Sequence, residues 1–332
     1  MTRERVAVNE RIAPNHLDIE AVVTGLRDAR ERWRATHQRH AELGTKGFPS
    51  RRALDRIVGD IGVALFPLRL GPPELHPGNE DAFVEATLEQ ALSQLAAQVR
   101  LNLLYDERAA PDHVIEGRVE AIVAEFAAAL PGLRSILDDD VQAAYAGDPA
   151  ARSVDEVLLC YPCIIAVVHY RIAHELYRLG AALVARIITE IANSRTGIDI
   201  HPGATIGRSF FIDHGTGVVI GETAIIGNRV RLYQAVTLGA KSIPLEEDGR
   251  AIRNIPRHPI VGDDVVIYSG ATILGRVSIG NGAVIGGNVW ITEDVPAHTT
   301  VSLHAFDVTY KDTLQSSAAA DRADLPSRVP IR

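Results

Sequence analysis

Cysteine, methionine and aromatic residues are scarce in this chain of 332 residues, which has two Cys, one Met and 5% aromatics. Two cysteines, Cys160 and Cys163, build no disulfide framework, and a reducing cytoplasm is the default compartment. A second cysteine pair that would complete a zinc site is missing, and no βαβ pattern surrounds this Cys-x-x-Cys as a redox site needs. The pair therefore reads as packing residues at the mouth of an apolar helix. A basic surplus is also lacking: the formal net charge is −8, which argues against nucleic acid or an anionic membrane as partner. No charged-then-apolar leader follows Met1, so no signal peptide is expected. The longest apolar run, Val157 to Val168, is too short to span a bilayer and contains Pro162. His174-Glu175 opens like a metalloprotease helix, but Arg178 stands where the second histidine would be, so no metal is expected.

What the chain does have is a six-residue beat. Val261, Ile267, Ile273, Ile279, Ile285 and Ile291 fall at every sixth position, with Gly262, Gly270, Gly275, Gly280, Gly282, Gly286 and Gly287 between them. Neither the helix period of 3.6 nor the strand period of 2 gives this spacing. It predicts a left-handed parallel β-helix of hexapeptide repeats, with triangular coils whose aliphatics stack in one column. Upstream, Ile200, Ile206, Ile212 and Val218 are in phase; Ile220, Ile226, Leu232 and Leu238 continue two residues out of step. The coil near Gly215 to Gly221 should absorb that shift. The beat stops between Gly239 and Ile260, and so long a loop inside a solenoid suggests a function.

Residues 1–195 show no beat and read as helices: Leu17 to Leu43, Arg51 to Leu65, Asn79 to Leu104, Ile115 to Leu130, and Val154 to Asn193 with a kink at Pro162. The fold class is therefore α+β. An α-helical N-terminal domain (1–195) precedes a β-helix domain (196–305, with the inserted loop 239–260) and a flexible tail (306–332). The helices are placed to cap the open first coil.

Histidine is the candidate base near neutral pH. His214 stands in Asp213-His214-Gly215-Thr216-Gly217, at the out-of-step coil. Asp199 precedes it by almost one coil, within reach to fix the imidazole tautomer as in a triad; on spacing alone, decoration of a polar corner is the somewhat stronger reading. Arg257-His258 closes the long loop and suits a carboxylate beside a reacting hydroxyl. His201, before Pro202-Gly203, reads as structural, and His298 has no assigned role.

Together, Asp199-Ile200-His201-Pro202, Asp213-His214-Gly215-Thr216-Gly217, Val219-Ile220-Gly221-Glu222-Thr223, Val236-Thr237-Leu238-Gly239 and Arg257-His258-Pro259 resemble a serine O-acetyltransferase. Upstream, Asp148-Pro149-Ala150 and Tyr170-Arg171-Ile172-Ala173-His174 match that family's helical domain, so the resemblance spans roughly residues 145–300. It implies cytoplasmic acetyl transfer from acetyl-CoA to the L-serine hydroxyl, giving O-acetyl-L-serine for cysteine biosynthesis, with no permanently bound cofactor. On this resemblance His214 is the general base and Asp199 orients it. Asp148 and Asp213 hold the substrate ammonium, Arg257 and His258 its carboxylate, and Gly239, Ala240, Ser269 and Gly287 line the acetyl-CoA groove. A homotrimer, or a hexamer of paired trimers, and feedback inhibition by L-cysteine are implied as well.

Three departures stand out. The loop from Lys241 to Arg257 is long and charged; Cys163 follows Tyr161-Pro162 where a glycine is expected; and the chain ends Pro330-Ile331-Arg332. The last feature argues against docking to O-acetylserine sulfhydrylase through a terminal isoleucine. Alternatives are a homoserine or sugar O-acetyltransferase, a γ-carbonic-anhydrase-type enzyme using His201, His214 and His258 on zinc, and a non-catalytic scaffold.

Overall fold

Each aliphatic of the repeat except Val218 lies in a strand of two or three residues. The computed structural model describes residues 18–36, 47–107, 110–242, 244–246, 248–253 and 255–303, and a short antiparallel pairing of 308–309 with 328–329. The rest of the tail, and residues 37–43 of the first expected helix, lie outside the described residues. The repeat strands are β1 (Asp199–Ile200), β2 (Thr205–Ile206), β3 (Phe211–Ile212), β4 (Val219–Ile220), β5 (Ile225–Ile226), β6 (Arg231–Leu232), β7 (Thr237–Gly239), β8 (Ile260–Val261), β9 (Val266–Ile267), β10 (Thr272–Leu274), β11 (Ser278–Ile279), β12 (Val284–Ile285), β13 (Trp290–Ile291) and β14 (Thr300–Val301).

They stack in parallel into three sheets, the faces of a left-handed prism. The first is β1-β4-β7-β10-β13, the second β2-β5-β8-β11 and the third β3-β6-β9-β12-β14. Every aliphatic of the beat from Ile200 to Ile291 is buried, as is a second row two positions earlier that includes Ile198, Ala204, Phe210, Ala224 and Val230. Each such side chain contributes roughly 1.5–3 kcal/mol on burial.

Register shows where the repeat is broken. Val219 stacks on Thr237, 18 residues on, as the later coils do, whereas Asp199 stacks on Val219, 20 residues on. The two extra residues fall between β3 and β4. Val218, although six residues after Ile212, belongs to the second buried row, so the irregularity begins earlier than the hexad count indicates, at His214-Gly215. Thr237 stacks on Thr272, 35 residues on, because the inserted loop intervenes between β7 and β8.

The helices are α1 (Ile19–Thr36), α2 (Arg51–Leu65), α3 (Pro67–Leu70), α4 (Glu80–Asp106), α5 (Asp112–Gly147), α6 (Val154–Cys160), α7 (Pro162–Arg178) and α8 (Ala182–Thr196). Residues 1–47, which include α1, form a unit separate from residues 48–332, in which the other helices and the β-helix pack as one. Two helical expectations need correction. Pro131-Gly132 does not end α5, which runs on to Gly147. Pro131 and Gly132 lie on an exposed face of the helix, away from its packed side. The stretch from Val154 to Asn193 is three helices rather than one kinked helix, with a 76° bend between α6 and α7 at Tyr161-Pro162. No single helix among the described residues is long and apolar enough to cross a membrane.

Helix α7 covers the open edge of the first coil. The Tyr170 hydroxyl donates to the Ala204 carbonyl (2.6 Å), and the Arg171 guanidinium to those of Ile206 and Gly207 (2.6 Å each). The His174 ring bonds the Pro202 carbonyl at 2.8 Å. Arg171 is buried against Asp140 of α5, which accepts the Phe210 N–H at 2.8 Å. Backbone groups at a sheet edge need partners, and α5 and α7 supply them here.

Candidate active site

The two residues inserted into the first coil, His214 and Gly215, bulge at the corner joining the third sheet to the first. Both have positive φ, +58° and +96°, and Gly217 follows at +81°. A Cβ on Gly215 would lie 2.5 Å from Ile198, so glycine is required there by packing as well as by φ. The bulge holds the His214 side chain 73% exposed, with Nε2 3.8 Å from an oxygen of Asp213.

Helix α5 brings a second carboxylate to this corner. A Cβ on its last residue, Gly147, would collide with Phe211 and Arg231, so glycine lets the helix end lie against the third sheet. Its C-cap is Asp148. One Asp148 oxygen accepts the Ala150 N–H at 2.8 Å and the other accepts the Tyr161 hydroxyl. The Tyr161 bond, with the Ala150 N–H, holds the Asp148 carboxyl below the usual range. Tyr161 is pushed up to about 12 by the same bond and by burial. The buried Cys163 thiol is also pushed up to about 12, by burial and by the charges of Asp213 and Asp148. A thiol held protonated is inert, in keeping with a packing role.

The next corner, between the first and second sheets, carries His201, Glu222, Arg257 and His258. The Thr223 hydroxyl accepts the N–H groups of Arg257 (2.9 Å) and His258 (3.2 Å) and donates to His258 Nδ1 (2.9 Å). Accepting at Nδ1 leaves the ring proton on Nε2. Gly221 lies under that ring: a Cβ there would be 2.0 Å from it. Burial and the neighbouring Arg257 push His258 down to about 4. Burial and Arg186 likewise push His201 down to about 4, and its Nδ1 accepts the Gly203 N–H at 3.0 Å. Arg257 reaches Glu222 at 2.6 Å, and the Tyr177 hydroxyl donates to the other Glu222 oxygen at 3.2 Å. Burial alone would raise Glu222, but Arg257, His201 and Tyr177 hold its carboxyl low.

The structure thus gathers Asp148, Asp213 and His214 at one corner and Arg257 with His258 at another. Asp199, in β1, lies 3.9 Å from Arg186, and no ion pair joins it to His214 among the described residues. Gly239 and Ala240 lie at the His258 end of the first sheet, whereas Ser269 and Gly287 stack near the His214 end. His214 stands apart from His201 and His258, and no group of three metal-ligating side chains occurs among the described residues. Sequence reasoning missed Tyr161, Tyr177 and Glu222 as members of these clusters. A signal existed for Tyr161: the proline after it ends α6 and turns its side chain toward the end of α5. Glu222 stood inside a quoted motif but had no assigned partner.

Known proteins fit this geometry. Residues 258–293 match the bacterial transferase hexapeptide (six repeats) family. The chain is 52% identical to a plasmid serine acetyltransferase of Synechococcus elongatus, over 76% of this chain and 81% of that protein. It is 48% identical to the serine acetyltransferase of Bacillus licheniformis, over 50% and 73% of the two chains. The crystal structure of Entamoeba histolytica serine acetyltransferase 1 in complex with L-cysteine superposes with a TM-score of 0.66 at 39% identity, covering 74% of this chain and 86% of that one. With that extent of identity and structural likeness, this chain belongs to the serine acetyltransferase family.

Proposed function

We propose that this chain transfers the acetyl group of acetyl-CoA to the hydroxyl of L-serine, with His214 as the general base. The observation that carries the reading is the His214 bulge: an exposed imidazole on an inserted corner, beside two carboxylates positioned for an ammonium group. Asp148 and Asp213 take the serine ammonium, which fixes the hydroxyl near the ring. His214 removes the hydroxyl proton as the oxygen attacks the thioester carbonyl, and returns it to the departing thiolate. Asp199 is the carboxylate that orients the ring in this reading, reached when the exposed imidazole turns inward over the first sheet.

A zwitterion also needs a cationic contact, and Arg257 with His258 lies at a different corner of the same prism. We assign those residues to the site of a neighbouring copy, so that the active centre forms between subunits of a trimer. Gly239, Ala240, Ser269 and Gly287, which lie at opposite ends of the first sheet, then line one acetyl-CoA groove from two chains. L-Cysteine, which differs from serine only at the nucleophile, binds the same place and inhibits; the Entamoeba relative has been crystallised with it. Free Cys160 and Cys163 fit a reducing cytoplasm.

The test is thiol release from acetyl-CoA by the purified protein with L-serine, homoserine or a sugar as acceptor, beside His214→Ala. Serine-dependent release that the variant loses is the expected result. Release only with another acceptor moves the substrate, and silence with all acceptors removes the reading.

A further inference from the structure

Asp148 is the C-cap of α5 and belongs to no strand of the prism, so something must aim its carboxylate at the His214 corner. The only side chain among the described residues that donates to it is Tyr161. Tyr161 is at once the C-cap of α6 and the N-cap of α7, with extended backbone (φ −82°, ψ 120°) at the 76° bend. Pro162 enforces that conformation, because proline disfavours the helical region for the residue before it. The phenol is therefore held from two helices while its hydroxyl reaches the end of a third.

We infer that Tyr161 is a positioning residue for substrate binding: its hydroxyl fixes one oxygen of Asp148 so that the remaining lone pairs face the serine ammonium. The inference rests on the proposed role of Asp148. Both carboxylate oxygens are tied, one by Tyr161 and one by the Ala150 N–H, so the group cannot rotate away from the corner. A charge-assisted hydrogen bond of this kind also favours the ionised carboxylate that an ammonium requires. The charged and titratable groups around Asp148 are Tyr161 and Glu156 of α6 and its boundary, Cys163 of α7, Asp213 and His214 of the corner, and Arg231 of β6 against Gly147. Of these, Tyr161 alone donates a hydrogen bond to the carboxylate. Tyr161 touches neither the hydroxyl that reacts nor the thioester in this scheme, so it acts on binding.

Tyr161→Phe in the full chain tests this, with initial rates against serine and against acetyl-CoA, and with serine binding followed by calorimetry in the absence of acetyl-CoA. The serine KM should rise roughly tenfold, as for a lost hydrogen bond to a charged group. The kcat, the acetyl-CoA KM and the melting temperature should stay near the parent values. As pH falls below about 5, serine binding by the variant should weaken at a higher pH than binding by the parent, because Asp148 returns toward the ordinary carboxylate range. Asp148→Asn should raise the serine KM further, and adding Tyr161→Phe to it should change nothing more. An unchanged serine KM in Tyr161→Phe beside a raised one in Asp148→Asn overturns the inference alone. An unchanged serine KM in Asp148→Asn overturns the role of Asp148 and the inference with it. Loss of kcat, acetyl-CoA affinity and melting temperature together in Tyr161→Phe would make the phenol structural and overturn it too.

Discussion

The two histidine corners of the prism are built on opposite plans. At one, an insertion of two residues pushes His214 out on a left-handed bulge, its ring largely in solvent. At the other, His258 is buried, bonded through Nδ1 to Thr223 and laid against Gly221, and held neutral by burial and by Arg257. The difference separates two tasks. A base must reach its substrate and exchange protons, so it is presented on a protrusion. A fixed donor must keep one tautomer and one direction, so it is clamped. The same hexapeptide corner serves both, and the sequence around each histidine decides which.

That contrast can be broken at several points. Replacing His214 by alanine should lower kcat by about 10²–10⁴, measured by thiol release, with the melting temperature unchanged because the side chain packs against little. Equal loss of stability would mean the bulge is structural. Arg171→Met, at the third corner of the same first coil, leaves Asp140 buried without its ion-pair partner and should cost roughly 3–5 kcal/mol in denaturant unfolding. Gly221→Ala aims at the clamped corner alone. Its Cβ cannot coexist with the His258 ring, so the substitution should cost about 1–3 kcal/mol and raise the serine KM. Normal stability and KM would show that the ring has room to move.

The smallest effect is one of pH. His258 and His201 have folded values of about 4, below the ordinary 6.5 of a histidine. Between those values the unfolded chain binds protons that the folded chain refuses, so stability falls as pH falls through that window and the contribution levels off below about 4. His258→Gln should flatten this part of a melting-temperature profile. An unchanged slope would contradict the neutral clamp.

Much of the fold was readable because one side chain per hexad must enter the prism. The burial of Ile200 through Ile291 follows from the six-residue spacing, and the loop between Leu238 and Ile260 from its interruption. The phase shift and the coil that absorbs it were readable too, but not its exact start: Val218 keeps the count and hides the insertion at His214-Gly215. Helix ends were harder. Pro131 looked like a terminator and is not: it lies on the exposed face of α5, which continues through it. Pro162 does break its helix, and the sequence does not show that this turns Tyr161 onto Asp148.

The sequence alone determined the β-helix, the helical region before it, the inserted loop and the types of residue available for chemistry, because period and composition act locally along the chain. Only the tertiary structure decided which of those residues meet. Asp148 comes to the His214 corner because Gly147 lets α5 close onto the third sheet; Arg257 meets Glu222 because both lie at one corner, 35 residues apart. It also placed the two halves of the expected serine site at separate corners. Stacking brings together residues at the same position in successive coils, and sequence distance says nothing of which corner a residue occupies until the insertions have been located.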